Sequence, residues 1–279
     1  MPPFFNPDIS ETELMHYLSL FLLSILRLGP IVRLAPFLGA KVMPGMARMG
    51  LILILGVIFF PNILVYSSTG PLTFDLVFIG YALKELILGY ILGFFSMIPF
   101  LIANSAGIFI DFVRGSSMLM QQDVTLQQQA SPLGILYNSV FIVMFYQLGG
   151  VWLFFDAITT SYQIMPPSAW FNMNFFSLTT PLWKQATTIL HSIIAISLQL
   201  AAPSLVAILM AEVFLGIANR LAPQVQIIFL GMPIKSLLGI FFLWVGWLFI
   251  LTQGNKQLFS WFRSCLLYTS PSPRDLSTS

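Results

Sequence analysis

Six long apolar runs dominate this chain and leave few folds open to it. They cover about Leu14–Pro36, Met49–Tyr66, Leu76–Ala103, Leu133–Phe155, Ala186–Met210 and Val225–Thr252. Each is near or above the ~18 apolar residues that read as a membrane-spanning helix. Backbone polar groups at bilayer depth have no water to bond, so a spanning segment must satisfy itself as a helix or close into a barrel. The runs are continuous and do not alternate at the ~10-residue spacing of barrel strands, which argues against a barrel. The expected fold class is an all-α membrane protein of about six hydrophobic helices, several kinked, arranged as hairpins.

Composition supports this. Of 279 residues, 57% are hydrophobic and 8% are charged, with a mean hydropathy of +0.89, whereas soluble domains carry about 25% charged residues. The 12 basic and 10 acidic side chains could not coat a water-facing globule of this size, so the surface faces lipid or equally apolar subunits. A net charge of +2 is too small to argue for a nucleic-acid partner. Cys265 stands alone and no Cys/His grouping has metal-ligand spacing, so neither a metal nor another cofactor is expected. Met1–Glu13 contains Asp8, Glu11 and Glu13 but no Lys or Arg. The first apolar run is therefore expected to be a retained helix and not a cleaved leader.

Asn104–Pro132 and Asp156–Lys184 are expected to be connections, both longer than the ~12–15 residues beyond which a connection tends to be functional. The second contains Met165-Pro166-Pro167 and an aromatic, amide-rich stretch from Trp170 to Phe176, as suits an interfacial loop. The first alternates apolar and glutamine-rich stretches with few charges, which predicts packing inside an assembly. Cys265–Ser279 turns abruptly to Ser, Thr and Pro and reads as a disordered or non-native tail resembling translated sequencing adapter. With an outside N-terminus, the inside connections hold Lys41, Arg48, Arg114 and Arg220 and the outside ones Lys184, Lys256 and Arg263, a slight lean by the positive-inside rule.

Catalytic motifs are missing, and His16 and His191 each stand alone in an apolar segment, where a histidine is more often a packing residue than a ligand or proton relay. Arg27, Arg33, Lys84, Glu85 and Glu212 lie in or beside apolar runs. A charge at the centre of a span costs at least ~2.5–3.5 kcal/mol, so such groups are read as functional or protein-buried. Arg33, Glu212 and Arg220 lie near span ends and also suit interfacial anchors. Lys84 and Glu85 are adjacent and are expected on different faces, unable to neutralise each other simply. Gly29-Pro30, Pro99, Pro203 and Pro233 are expected to kink their helices. Gly89 and Gly93 form a Gly-x-x-x-Gly that permits close helix approach.

Several strings are more specific. They are Arg27-Leu28-Gly29-Pro30, Ala35-Pro36-Phe37-Leu38-Gly39, Gly107-x-x-x-Asp111-x-x-Arg114-Gly115 and Ser131-Pro132-Leu133-Gly134-Ile135-Leu136-Tyr137. Above all there is Glu212-Val213-Phe214-Leu215-Gly216-Ile217-Ala218-Asn219-Arg220-Leu221-Ala222-Pro223-Gln224-Val225-Gln226. In order, from about residue 14 to 263, they resemble the SctT/FliR/SpaR family, export-apparatus proteins of type III secretion systems and flagella. Pro36–Lys41 and Pro223–Gln226 are most similar to the virulence-type members of chlamydia-like bacteria.

The resemblance implies a multi-pass protein of the bacterial inner membrane, within the secretion basal body and without enzymatic activity. One copy would join several SctR- and SctS-type subunits, with an SctU-type subunit packed against them, to form the pore that admits unfolded secretion substrates. It implies an SctR-like part over 1–185 with a plug loop at 104–132, an SctS-like hairpin over 186–263, and a tail at 264–279. By position, the plug would comprise Phe109, Asp111, Phe112, Arg114, Gly115, Met118, Leu119 and Met120, with Asp111 and Arg114 bridged to hold its shape. The family's usual Asp-Pro after this loop is not intact, since Val124 follows Asp123. The last hairpin's loop, Glu212–Gln226, would touch the SctU-type subunit through Glu212, Gly216, Arg220, Pro223 and Gln224. A flagellar FliR is the near alternative. A small multi-span transporter, with Arg27, Lys84 and Glu85 lining a solute path, is the distant one.

Overall fold

A computed structural model describes residues 11–39, 42–67, 76–115, 131–170, 181–221, 227–256 and 261. Among them the chain forms helices and turns, with no strand. The helices are α1 (Glu11–Leu34), α2 (Gly45–Tyr66), α3 (Leu76–Arg114), α4 (Pro132–Gln147), α5 (Gly150–Ile164), α6 (Pro181–Leu221) and α7 (Ile227–Val245), followed by α8 (Trp247–Lys256). Four helical stretches, Glu13–Leu34, Gly45–Tyr66, Val77–Arg114 and Leu190–Leu221, are long and apolar enough to cross a membrane. The number rises to six if the broken pairs α4/α5 and α7/α8 each count as one span.

Three boundaries differ from the sequence expectation. Helix α3 continues through Asn104 to Arg114, so the first part of the expected 104–132 connection is helical. Helix α5 runs to Ile164, past the expected end of its run at Phe155. Helix α6 begins at Pro181 and ends at Leu221, so Glu212–Leu221 is helix where a loop was expected. Polarity misled in each case. In α5, Thr159 and Ser161 return their hydroxyls to the carbonyls of Phe155 and Ile158, both at 2.7 Å, so polar residues sit in a helix without demanding water.

The helices run on through Pro30, Pro61, Pro99, Pro203 and Pro233. The breaks between consecutive helices fall at glycines. Gly149, at φ 69° in the left-handed region, separates α4 from α5, and Gly246 stands between α7 and α8, which are bent by 59°.

Contacts divide the chain into two compact units: one includes Met1–Met97 and Gly149–Thr180, the other Ile98–Leu148 and Pro181–Trp261. Helix α3 contributes to both. In the first unit, α1 and α2 form a hairpin. Acidic Glu11 and Glu13 open α1 and Arg33 closes it, matching the helix dipole. Its buried stripe, Leu20, Leu23, Arg27 and Ile31, follows helical spacing and includes an arginine. A 3-10 turn, Pro36–Leu38, then buries Phe37 edge-on to Phe154, with ring centres 4.8 Å apart. Gly89 and Gly93 let α3 lie against α1: a Cβ at Gly89 would meet the Arg27 carbonyl, and one at Gly93 would stand 3.1 Å from Ile31 Cα.

In the second unit, α6 and α7 form an antiparallel hairpin. A Cβ at Gly239 would stand 3.0 Å from Ile208 Cδ1, and one at Gly231 3.1 Å from Leu215 Cδ1. Helix α4 starts at an N-cap, where Ser131 Oγ accepts from Gly134 N at 2.9 Å with Pro132 in the first turn. Its Leu133, Tyr137, Phe141, Met144 and Phe145 are buried.

Candidate functional site

Two clusters of buried charge stand out among the described residues, one in each unit. The first is built on Arg27 of α1 and Lys84 and Glu85 of α3, whose exposures are 0%, 2% and 0%. Arg27 Nε and Nη2 donate to the two Glu85 oxygens at 2.5 and 2.9 Å. Its remaining donors reach Ser161 O and Oγ at 3.1 and 3.3 Å and Met165 O at 2.8 Å. The guanidinium carbon also stands 4.3 Å from the centre of the Tyr162 ring, a cation–π contact.

Lys84 Nζ lies 2.8 Å from Glu85 Oε1, which corrects the expectation that these neighbours could not pair. The lysine stem is long enough to swing round the helix to the face of the carboxylate. Lys84 also donates to the carbonyls of Pro166, Pro167 and Ala169 at 3.0, 3.0 and 2.8 Å. Two cations thus share one carboxylate, and the excess positive charge is met by carbonyls at and beyond the C-terminus of α5, the negative end of a helix dipole. The three charges satisfy one another and their neighbours, so they line no open solute path. Ser161 and the Met165–Ala169 carbonyls were not legible as partners. The signal was the C-terminus of an unrecognised helix followed by two prolines.

The second cluster joins α3 to α4. Asp111, buried near the end of α3, accepts from Arg114 Nη2 at 2.5 Å, Ser131 Oγ at 2.5 Å and Leu133 N at 3.0 Å. The expected Asp111–Arg114 bridge is present, but on the last helical turn and not within a loop. Asn104, Gly107, Asp111 and Arg114 recur at helical spacing. A Cβ at Gly107 would collide with the Leu133–Gly134 backbone, and one at Gly134 would stand 2.9 Å from Asn104 Oδ1. This small and polar stripe is the face α3 presents to the start of α4. Of the other expected plug residues, Phe109 is half-buried on α3, Phe112 is 70% exposed, and Gly115 ends the helix at φ 87°. Met118, Leu119 and Met120 lie outside the described residues.

Near the tip of the α6–α7 hairpin, Glu212 Oε1 accepts from Lys235 Nζ at 2.6 Å. Gly216 and Arg220 are exposed on the following turns of α6. Pro223 and Gln224 lie outside the described residues, as does the tail with Cys265.

The sequence profile of the bacterial export proteins, family 1, matches residues 18–260. The chain belongs to this family. The assignment agrees with the resemblance to the SctT/FliR/SpaR export-apparatus proteins of type III secretion. Among relatives of the export family, the secretion system apparatus protein SsaT of Salmonella typhimurium is 30% identical over 59% of this chain and 61% of its own. The Yop proteins translocation protein T of Yersinia pestis is 32% identical over 63% of this chain and 66% of its own. The match thus spans less than two thirds of either relative. The surface presentation of antigens protein SpaR of Salmonella typhimurium is 27% identical over 80% of this chain and 81% of its own. With its apolar helices, this member of the export family is a multi-pass inner-membrane protein.

Proposed function

We propose that this chain is a non-enzymatic, single-copy subunit of a type III export gate. It assembles with SctR-, SctS- and SctU-type subunits around a pore for unfolded substrates. The family match along residues 18–260 supports the reading. The observation that carries the plug assignment is the Asp111 clasp. One carboxylate holds Arg114, at the end of α3, together with Ser131 and Leu133, at the start of α4. Both flanks of the 116–130 segment are therefore anchored at one place, which suits a segment presented into a pore from a fixed base. Exposed Phe112 beside that base, with Met118, Leu119 and Met120 beyond it, supplies adaptable apolar side chains of the kind that close an irregular channel. The 186–263 part serves as the SctS-like hairpin, with the α6 end as its contact for the SctU-type subunit.

Deleting Gly115–Gln121 in the reconstituted complex tests this. Ion leakage across vesicles should rise while the subunits still copurify. Unchanged leakage from an intact complex would remove the plug from the proposal.

A further inference from the structure

The second half of α3 lies along the α6–α7 hairpin and meets it at two levels. At the first, buried Ser197 of α6 donates from Oγ to Ile102 O at 3.0 Å. At the second, Arg114 of α3, Ile208 of α6 and Gly239 of α7 converge. A Cβ at Gly239 would stand 3.0 Å from Ile208 Cδ1 and 3.8 Å from Arg114 Cδ. The spacing agrees, because Ile102 to Arg114 advances about 18 Å and Ser197 to Ile208 about 16 Å, at about 1.5 Å per residue. Helices α3 and α6 therefore run side by side in the same direction over this stretch, and the end of α3 abuts α7.

Gly239 is buried and bare where the arginine passes. The Arg114 side chain is 12% exposed, and its Nε is buried without a hydrogen-bond partner among the described residues. The direction of the arm thus rests on packing along its stem together with the Nη2 bond to Asp111. An added methyl group would just touch the stem, and a larger side chain would need the room that the stem and Ile208 fill. Glycine is a poor helix former, and here its missing side chain gives the arginine its path.

We infer that Gly239 is a positioning residue for the Asp111 clasp. It leaves room for the Arg114 stem between α3 and α7, so that the guanidinium reaches the carboxylate that also holds Ser131 and Leu133. The α6–α7 hairpin and the α3–α4 junction are thereby coupled, and displacing the stem at Gly239 loosens the clasp. The consequence for the pore rests on the plug reading, whereas the clasp itself does not.

The Leu133 amide reports the clasp directly. It lies in the first turn of α4, where no intrahelical acceptor exists, and donates to Asp111 Oδ2 at 3.0 Å. Deuterium exchange at Leu133, localised by electron-transfer fragmentation, would be followed in the full chain purified with its subunits. Gly239→Leu should speed it on the order of tenfold, as expected when a hydrogen bond to a charged acceptor is lost, and Arg114→Ala should do the same. In an Arg114→Ala background Gly239→Leu should add nothing. Gly231→Leu separates packing from positioning, since Gly231 also faces α6, at Leu215, but lies eight residues, about 12 Å, along α7 from Gly239. It should lower the melting temperature and leave Leu133 at its native rate. Should Gly239→Leu prevent assembly, the smaller Gly239→Val is measured in its place. Native exchange at Leu133 in the Gly239 variant, an equal rise with Gly231→Leu, or a further rise in the Arg114→Ala background would overturn the inference. Faster Leu133 exchange with unchanged ion leakage would sustain it and count against the plug instead.

Discussion

Arg27 and Glu85, 58 residues apart in sequence, form a bidentate ion pair with neither side chain exposed. The pair ties α1 to α3 beside the buried Leu23, Leu28 and Ile31 of α1. It also recruits Lys84, so one carboxylate balances part of two cations. Removing a member of such a cluster costs more through the uncompensated charge that stays buried than through the missing attraction itself.

The cluster should therefore respond unequally to substitution. Glu85→Gln leaves Arg27 and Lys84 buried without their counter-ion and should destabilise by about 3–5 kcal/mol. Lys84→Met leaves the neutral Arg27–Glu85 pair in place and should cost clearly less. Thermal unfolding in detergent, followed by size-exclusion fluorescence, would report the order. Equal losses would mean that Glu85 is not the hub.

Glycines at close approaches should be intolerant where exposed ones are not. Gly89→Ala drives a methyl group into the Arg27 carbonyl and should cost about 1–3 kcal/mol. Gly216 has nothing within 4 Å of an added Cβ, so Gly216→Ala should be neutral or gain up to about 1 kcal/mol of helix propensity. If Gly216→Ala keeps its melting temperature but loses a copurifying subunit, the α6 end is a partner contact.

The Asp111 clasp should matter more than the cap it supports. Ser131→Ala removes one N-cap oxygen and should cost about 1 kcal/mol. Asp111→Ala orphans the Leu133 N–H and deprives Arg114 of its carboxylate, so its loss should be larger, at about 1–3 kcal/mol for each polar group left unpaired. Melting curves rank the two variants. In the reconstituted gate, Asp111→Ala should also raise ion leakage beyond Ser131→Ala.

At the hairpin tip, stability and assembly should separate. Glu212 is more than half exposed, so its pair with Lys235 contributes at most ~1 kcal/mol, and Lys235→Ala should hardly shift the melting point. Glu212→Lys places two like charges at the proposed contact and should reduce copurification of the SctU-type subunit. A melting loss with Lys235→Ala as large as that with Glu85→Gln would contradict this separation.

Much of the Asp111 cluster could have been read from the chain. Asn104, Gly107, Asp111 and Arg114 repeat every three or four residues, Arg114-Gly115 is a helix-end pair, and Ser131-Pro132 is a helix start. Mean hydropathy hid them, because a helix whose contact face is polar looks like a loop to a hydropathy window. The Arg27 cluster was only half legible. Sequence marks Arg27, Lys84 and Glu85 as too costly to face lipid, but not which groups meet them.

By itself, the sequence determined that the chain is helical and membrane-borne, because runs of about twenty apolar residues leave backbone groups no partners but their own helix. It also carried the family, in strings whose order is preserved along the chain. Tertiary structure alone decided which distant groups balance the buried charges. That outcome depends on groups 20 to 138 residues apart, which meet only once the helices have packed. Neither periodicity nor composition specifies which distant carbonyl or carboxylate will be within reach of a cation.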